Sequence, residues 1–339
     1  MFGFGMDVGI DLGTASVLVS IKNRGIVLNE PSVVAVDRDT GRMLAIGEEA
    51  RQMIGRTPGN IIAVRPMREG VIADYDVTQQ MLQAFIRKVC GKNRFFGPRL
   101  MIGVPSGITT VEQRAVLEAA SEAGARQTFL IEEPLAAALG AGIDVAKPNG
   151  AIVVDIGGGT TDVAVISLGG IVVSEAARIA GDKLDEAIIR FMRNEYRLLI
   201  GERTAEDIKI QAGTAFPGSR EVYLEVRGRD LVTGLPKNVT ITSHQAMTAM
   251  QEPIDSIISL VKTVLERTPP ELAADIMDRG IIMTGGGALI DGLDKLMTQE
   301  TGIHTYVADN PIECVGLGTC LALDSLNFLE KNLISNRKR

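Results

Sequence analysis

A strand–turn–strand pattern that occurs twice constrains the fold of this chain more than any other feature. Residues 8–21 and residues 151–166 each start with apolar, β-prone residues, reach an aspartate, pass through a small turn with glycine and threonine, and end in a second apolar run. The copies lie almost half the chain apart, which indicates internal duplication of a supersecondary unit. The length of 339 residues suits two lobes of ordinary size.

Both turns have the composition of phosphate-binding loops. Glycine lets backbone N–H groups approach an anion closely, and threonine hydroxyls add further donors. In P-loop and dinucleotide folds the glycine turn opens a helix, whereas β-prone residues follow both turns here and no GxxxxGK[ST] sequence occurs. One such turn is common in tight hairpins, but two matching copies, each with an aspartate at its start, favour phosphate binding.

Asp11 and Asp155 occupy the same position in the two copies and are predicted to face each other across a cleft. Mg²⁺ takes one or two carboxylates together with waters and phosphate oxygens. The pair therefore favours a magnesium site, mostly in a water-mediated form. The alternative is that each short acid caps its own turn.

Hydrolysis of a bound triphosphate needs a group that orients the attacking water. Glu132 and Glu133 stand at the start of a predicted helix, where acids also interact favourably with the helix dipole. The residues alone do not decide between catalysis and helix stabilisation, or between the two glutamates.

The composition opposes several other functions. A net charge of -7 is unlike that of a general nucleic-acid binder, which needs a basic face. Two histidines, His244 and His304, leave little material for a Ser-His-Asp triad, and three cysteines without CxxC spacing argue against zinc and against a disulfide framework. No apolar run reaches the ~18 residues of a spanning helix, and no secretory signal is recognisable, so we expect a cytoplasmic protein.

Alternating helix and strand signals between and after the two copies predict an α/β class. Thr110 and Gln113 are predicted to form a capping box. The predicted helices cover residues 77–89, 110–123 and 183–199 and begin again near residue 290; the predicted strands cover residues 99–104, 221–226, 239–242 and 280–284.

Phe95 and Phe96 lie in a basic stretch of a chain that is only 4% aromatic. Their residue types favour equally a place in the core and a membrane-inserting tip, in which the rings enter lipid and the basic side chains meet anionic headgroups. The basic tail, residues 336–339, is predicted to be a solvated end, with weak attraction to an anionic membrane as the alternative.

The two hairpins, together with the runs GDKLDEAI, GERTAEDIK and IIMTGGGALIDGLDKL, resemble the actin and sugar-kinase ATPase superfamily. Within it, the chain closely resembles the MreB/Mbl family of bacterial actins from about residue 7 to residue 326. This resemblance is carried by the runs NEPSVVAVD, GRTPGNIIAVRPMREGVIADY, IGVPSGIT, IEEPLAAALGAG and VLERTPPELAADI. It does not separate the MreB branch from the Mbl branch.

The resemblance implies an actin-like ATPase fold of α/β class. It has two lobes, each with an RNase-H-like core and a small inserted subdomain. The first lobe is expected to comprise residues 1–147 and 314–339, with its subdomain at about 33–66. The second is expected to comprise residues 148–313, with its subdomain at about 182–245.

The resemblance also implies a site for ATP and Mg²⁺. Glu133 matches the family's water-activating acid, and Thr160 matches its partner near the γ-phosphate. In the two phosphate loops the expected contacts are Asp11, Gly13, Thr14, Ala15, Ser16, Asp155, Gly157, Gly158, Gly159 and Thr160. In the nucleoside pocket they are Gly181, Asp182, Lys183, Glu206, Asp207, Ile208, Lys209, Gly286, Gly287, Ala288 and Leu289.

The function implied by the resemblance is that of a slow ATPase whose hydrolysis is coupled to polymerisation, rather than a metabolic enzyme. The expected partners are further copies of the chain in paired protofilaments, the inner face of the cytoplasmic membrane, and membrane proteins of cell-wall synthesis, without nucleic acid. The expected role is to organise wall synthesis and determine rod shape. Alternatives within the superfamily are a plasmid-segregation actin, a small-molecule kinase and a chaperone ATPase.

The resemblance favours the membrane-inserting tip at Phe95 and Phe96, because some relatives carry such a loop there. Gly3 and Gly5 interrupt the short stretch before the first strand, so the N-terminus is not expected to form an amphipathic anchor.

Overall fold

A computed structural model of the chain describes residues 6–57, 59–91, 97–329 and 333–335. The predicted membrane tip at Phe95 and Phe96 lies outside these residues, as does the basic tail from residue 336. No helix of the described ranges is both long enough and apolar enough to cross a membrane.

The first part of the chain contributes ten strands and four helices to these ranges. The strands are β1 (Asp7–Leu12), β2 (Ser16–Ile21), β3 (Gly25–Pro31), β4 (Val34–Asp37), β5 (Met43–Ile46), β6 (Ile61–Val64), β7 (Met67–Arg68), β8 (Val71–Ile72), β9 (Arg99–Val104) and β10 (Gln127–Glu132). The helices are α1 (Glu48–Arg51), α2 (Tyr75–Cys90), α3 (Thr110–Glu122) and α4 (Glu133–Gly140).

The remaining part of the chain, where the structure describes it, begins with the second hairpin. The strands are β11 (Ala151–Ile156), β12 (Thr161–Ser167), β13 (Gly170–Ala177), β14 (Leu198–Leu199), β15 (Tyr223–Asp230), β16 (Pro236–Thr242), β17 (Ile281–Thr284), β18 (Thr305–Val307) and β19 (Ile334–Ser335). The helices are α5 (Gly181–Tyr196), α6 (Glu202–Ala212), α7 (Ser243–Glu266), α8 (Pro270–Arg279), α9 (Leu293–Thr301), α10 (Cys314–Asp324) and α11 (Leu326–Leu329), with 3₁₀ turns at Gly286–Leu289 and Pro311–Glu313.

Two large sheets show the duplication that the sequence predicted. The first has the order β19-β10-β9-β1-β2-β3 and the second the order β13-β12-β11-β17-β18. In each sheet the duplicated hairpin is antiparallel, and its first strand lies parallel to a later strand, β9 beside β1 and β17 beside β11. We call the part around the first sheet the first lobe and the part around the second sheet the second lobe.

Small sheets accompany each lobe. Strands β5, β4 and β6 form one in the first lobe, and strands β14, β15 and β16 form one in the second. Strands β7 and β8 form a separate two-stranded hairpin. Each lobe has its own apolar core, and a third core lies between the two large sheets.

The third core is built around the crossing of α4 and α10. A Cβ on Gly318 of α10 would overlap the carbonyl oxygen of Ala136 of α4, and a Cβ on Gly140 would overlap the carbonyl oxygen of Cys314. Glycine is therefore required for this close approach of two helix backbones. The crossing holds the N-terminal end of α4 at the junction of the lobes.

Three local predictions were wrong in detail. The capping box of α3 is formed by Thr109 and Glu112, one residue earlier than predicted. Helix α5 ends at Tyr196, because Arg197 adopts the left-handed conformation that commonly ends helices. The helix expected from about residue 290 is divided into a 3₁₀ turn and α9.

Candidate functional site

A cavity of about 730 Å³ lies where the turns of the two duplicated hairpins face each other. This volume is in the range of small-molecule sites. From the two turns and the start of α4 it is lined by Asp11, Gly13, Thr14, Ala15, Ser16, Glu133, Asp155, Gly157, Gly158, Gly159 and Thr160, all of them predicted. From the expected nucleoside pocket it is lined by Gly181, Asp182, Glu206, Lys209, Gly286, Gly287 and Leu289.

Four predicted residues do not line this cavity. Ile208 and Ala288 are buried in the core of the second lobe, and Asp207 lies on the exposed face of α6. The helical period explains both α6 positions, because Glu206, Lys209, Ile210 and Gly213 share the face toward the cavity. The ammonium of Lys183 lies 3.6 Å from a carboxylate oxygen of Glu69 instead.

The two turns contact each other directly. A Cβ on Gly158 would lie 2.7 Å from the Cβ of Ala15 and 3.1 Å from its backbone nitrogen. A Cβ on Gly159 would likewise overlap the hydroxyl oxygen of Thr14. Glycine in the second turn therefore allows both loops to present backbone N–H groups to one shared space.

Asp11 and Asp155 are the next-to-last residues of the first strands of the two hairpins, and both line the cavity. Burial and the charge of Asp155 raise the pKa of Asp11 to about 8. Burial raises the pKa of Asp155 to about 6, although its carboxylate accepts a 2.6 Å hydrogen bond from the Thr284 hydroxyl that lowers the pKa. Each of these shifts reports a buried negative charge that lacks a compensating positive one.

Within the described ranges, no group of three or more His, Cys, Asp or Glu side chains is arranged to hold a metal ion. Two carboxylates at the junction of two phosphate-type turns nevertheless match the preference of Mg²⁺ for few protein ligands and several waters. The donor set at Asp11 and Asp155 therefore fits magnesium held mainly through water.

Glu133 is the first residue of α4, and the structure distinguishes it from its neighbour. Its side chain is 8% exposed and lines the cavity, whereas Glu132 precedes the helix at a half-buried position outside the lining. Burial raises the pKa of Glu133 well above its usual value, and the nearby charges of Asp162, Asp11 and Asp155 raise it further.

Gly103 on β9 makes room for this carboxyl group. A Cβ there would lie 3.4 Å from Cγ of Glu133 and 3.1 Å from a methyl group of Val315. The arrangement places an acid with a raised pKa beside the two turns, where it can hold a water molecule.

Asp162, the second residue of β12, was not singled out as a contact by the sequence analysis. It is fully buried and accepts a 2.6 Å hydrogen bond from the Ser106 N–H of the first lobe. Burial raises its pKa to about 7. Its Oδ2 and the Ser106 hydroxyl have no hydrogen-bond partner within the described part of the chain. A comparison of the two copies could have identified Asp162. It is an acid at the position where the first copy has the apolar Leu18.

Two charged side chains that line the cavity, Arg65 and Asp185, were also missed. Arg65, from the segment between β6 and β7, lies 3.4 Å from Asp182 and 3.8 Å from Glu202 of the second lobe. Lys209 donates to the carbonyl of Gly181 at 3.1 Å and to Asp185 at 2.9 Å. Burial raises the pKa of Asp185 to about 6. These contacts join residues far apart in the chain.

Three apolar side chains form the other wall of the cavity. Ile210 is 63% exposed, Leu289 55% and Ile312 41%, although each lines a concave site. Exposed apolar side chains converging on one pocket are suited to a flat, weakly polar ligand group. Only Leu289 had been predicted, because Ile210 and Ile312 lie in segments that resemble ordinary helix and loop surfaces.

Comparisons with known proteins bear on both fold and site. The family model described as MreB/Mbl protein matches residues 5–331. The chain is 54% identical over 331 residues to the cell shape-determining protein Mbl of Bacillus cereus, covering 98% of this chain and 99% of the relative. It is 52% identical over 338 residues to the cell shape-determining protein MreB of Escherichia coli K12, covering 98% and 97%.

Solved structures give the same picture. MreB5 of Spiroplasma citri bound to ADP superposes with a TM-score of 0.91 at 38% identity, covering 97% of this chain and 99% of that chain. The same protein bound to AMPPNP gives the same values. The MamK double helical filament has a TM-score of 0.80 at 22% identity, covering 94% and 99%, which is a likeness of fold alone.

Proposed function

This chain belongs to the MreB/Mbl family and has the actin-like fold that its motifs predicted, and we propose that it is an ATP-binding cytoskeletal protein that helps to determine cell shape. The observation that carries the proposal is the cavity between the two duplicated turns. The relatives named as cell shape-determining proteins support the biological role. No feature of the site favours the alternatives of a plasmid-segregation actin, a kinase or a chaperone.

The ligand that fits this cavity is ATP. Backbone N–H groups and hydroxyls of the two turns bind the phosphates, and the apolar wall of Ile210, Leu289 and Ile312 contacts the base. Glu206 and Asp185 offer carboxylates to the ribose hydroxyls. The related MreB5 has been solved with ADP and with AMPPNP, which supports a nucleotide in this chain.

Asp11 and Asp155 are the residues that would hold Mg²⁺, chiefly through water. The ion would neutralise phosphate charge and orient the triphosphate. The raised pKa values of both aspartates support this assignment, because a nearby cation favours the charged form of each.

Glu133 and Thr160 are proposed to carry out the hydrolytic step. Glu133 holds the attacking water by a hydrogen bond, and the Thr160 hydroxyl assists beside it. Both side chains are nearly buried, which keeps other water away from the site. We expect slow ATP hydrolysis coupled to assembly.

Self-assembly into paired protofilaments on the inner face of the cytoplasmic membrane is the next part of the proposal. The double helical filament of MamK shows that this fold can polymerise. Phe95 and Phe96, in their basic stretch, are proposed as the membrane contact, and membrane proteins of wall synthesis as partners. We also propose that the boundaries between the lobes lie at residues 147/148 and 313/314, as the resemblance implies.

Sedimentation tests the proposal. The wild-type chain is spun with and without ATP–Mg²⁺ and with and without vesicles that contain anionic lipid, and the double variant Phe95→Ser/Phe96→Ser is treated alike. Phe328→Ser, which alters another phenylalanine that is 50% exposed, is the control. We expect ATP-dependent pelleting of the wild type and the control with vesicles, and loss of lipid binding in the double variant. A wild-type chain that stays soluble in every condition would contradict the filament proposal.

A further inference from the structure

The tip of the β7–β8 hairpin, Glu69 and Gly70, contacts both phosphate turns. Its Gly70 N–H donates a 3.0 Å hydrogen bond to the Thr14 hydroxyl of the first turn. A Cβ on Gly70 would lie 2.7 Å from Cγ2 of Thr160 in the second turn and 2.7 Å from Cγ of Pro105. The backbone of Glu69 is equally close to the second turn, because a Cβ on Gly159 would lie 2.9 Å from its N and Cα. The tip is wedged between the lobes.

Charged side chains continue this contact outside the turns. Glu69 lies 3.6 Å from Arg178 through one carboxylate oxygen and 3.6 Å from Lys183 through the other. Arg178 also lies 3.5 Å from Glu112 on α3. The acids belong to the first lobe and the bases to the second, so every one of these three pairs bridges the cleft.

The backbone at the tip supports a specific role. Glu69 has φ of 50° and Gly70 has φ of 76°, the combination that a two-residue hairpin turn of type I′ requires. Asn, Asp or Gly is usual at the first of these positions, and a glutamate there carries some strain. Backbone strain of this kind clusters at active sites, ligand clamps and switch regions. Here the side chain reaches two cations of the opposite lobe.

We infer that the Glu69–Gly70 tip is a latch that stabilises the closed arrangement of the lobes around the nucleotide. The inference rests on the proposed function, since a ligand between the turns is what requires closure. Apparent affinity falls in proportion to the fraction of molecules in the binding-competent state. Opening the cleft separates all three ion pairs and withdraws the tip from Thr160, so the latch raises the closed fraction.

The chain offers a matched control for the charges. Lys183 also pairs with Glu186 at 3.1 Å, within the second lobe. Glu69→Gln and Glu186→Gln therefore remove the same charge from the same lysine, but only the first pair crosses the cleft. Exposed pairs of this type contribute little individually, and salt screens them.

The experiment measures the affinity of the full-length, unassembled chain for ATP–Mg²⁺ by titration calorimetry at low and high ionic strength. We expect Glu69→Gln and Arg178→Gln each to weaken ATP binding about two- to fivefold at low salt and less at high salt. The double variant should lose less than the product of the single losses, because the two residues share one interaction. Glu186→Gln should bind like the wild type.

A second pair of variants tests the wedge. Gly70→Ala and Gly107→Ala introduce the same methyl group at glycines that both have φ of 76°, but nothing lies within 4 Å of the Cβ at Gly107. We expect Gly70→Ala to weaken ATP binding about tenfold or more, because the closed state becomes overpacked. Gly107→Ala, with the same backbone strain, should retain wild-type affinity.

Equal ATP affinities for Glu69→Gln, Glu186→Gln and the wild type, with no difference between Gly70→Ala and Gly107→Ala, would overturn the latch and leave nucleotide binding intact. A wild-type chain that does not bind ATP–Mg²⁺ would instead overturn the proposed function, and the latch with it. Small-angle scattering of the free and AMPPNP-bound chain supplies a second readout. If the tip acts as a latch, the Glu69→Gln variant should be more open than the wild type.

Discussion

The two duplicated hairpins have the same strand pairing but hold their aspartates in different surroundings. Asp11 lies beside Gly103 of β9 and opposite Leu18 of β2. Asp155 lies beside Thr284 of β17, which donates a hydrogen bond to it, and opposite the carboxylate of Asp162. The pKa of Asp11 rises to about 8, and that of Asp155 only to about 6.

The duplication therefore accounts for the shared strand pairing, whereas residues of the neighbouring strands account for the different pKa values of the two aspartates. In the ligand-free chain, Asp11 is therefore expected to keep its proton to higher pH than Asp155. A bound cation is therefore expected to change the protonation of Asp11 more than that of Asp155. Glu133 is affected by both hairpins, because acids of each of them raise its pKa.

The largest effect is expected from Glu133→Gln. The amide keeps the size of the side chain but replaces one of the oxygens that hold the attacking water with an NH2 group, so ATP hydrolysis should fall about 100-fold or more while ATP binding is retained. Phosphate release and calorimetric titration measure the two quantities separately. Glu132→Gln, one residue away and outside the cavity lining, is the control and should hydrolyse ATP like the wild type. Equal activity of both variants would assign the water to another group.

The glycines of the two turns differ in which turn a side chain on them would contact. A Cβ on Gly13 would lie 2.8 Å from the carbonyl oxygen of Ser16 in its own turn, whereas a Cβ on Gly158 meets Ala15 of the opposite turn. Gly13→Ala should therefore destabilise the ligand-free chain by about 1–3 kcal/mol. Gly158→Ala should mainly weaken ATP binding, because open lobes relieve its clash. Denaturant unfolding and ATP titration of both variants distinguish these outcomes, and identical profiles would contradict the assignment.

The aspartates differ in how they should affect stability with pH. Each binds its proton more tightly in the folded chain, so its contribution to stability is fully present below the ordinary pKa near 4. That contribution is lost as pH rises through the folded pKa, about 6 for Asp155 and about 8 for Asp11. The ligand-free chain should therefore lose stability as pH rises from about 4 to about 8.

Removing each charge tests this dependence. Asp11→Asn should stabilise the ligand-free chain by about 1–2 kcal/mol near pH 9 and flatten the upper part of the profile. Asp155→Asn should have a smaller effect, confined to lower pH. Both should weaken the binding of ATP–Mg²⁺. Urea unfolding between pH 5 and pH 9 provides the measurement, and an Asp11→Asn profile parallel to that of the wild type would contradict the prediction.

The smallest effect is expected from Thr284→Val, which makes the surroundings of Asp155 more like those of Asp11. Loss of the 2.6 Å hydrogen bond should raise the pKa of Asp155 further and cost about 1 kcal/mol near pH 8. The cost should shrink near pH 5, where the carboxyl group is protonated. Thr268→Val removes another buried hydroxyl, whose 2.7 Å hydrogen bond goes to the carbonyl of Val264 rather than to a carboxylate, and should not alter the pH profile of unfolding. Indistinguishable pH profiles for the two variants would show that the Thr284 hydroxyl does not lower the pKa of Asp155.

Much of the fold could be predicted from local patterns. The strand at Arg99–Val104 has the predicted bounds, and the hairpin strands are where the repeated apolar runs indicated. The boundaries that failed depend on single conformations, such as the left-handed Arg197 at the end of α5. Such conformations are weakly encoded by residue type, and tertiary packing decides them.

The candidate site was predictable where the chain carries it in one segment. Both glycine turns and their aspartates could be identified from the repeat, and the structure lines one cavity with them. Residues on α6 were predicted as a consecutive run, but only the face of Glu206 and Lys209 reaches the cavity. Only one helical residue in three or four faces a given surface. A run of consecutive residues on a helix therefore includes residues that do not contact the ligand site.

The sequence by itself determined the duplication, the α/β class, the glycine turns and the family. Each of these depends on residue types within a short stretch or on the repetition of such a stretch. Only the tertiary structure placed Glu133, and not Glu132, in the cavity lining and brought the Asp162 carboxylate to the Ser106 N–H. It also paired Lys183 with Glu69 instead of placing it in the cavity lining. Burial and electrostatic coupling depend on distances between segments far apart in the chain, and those distances arise only when the two lobes pack together.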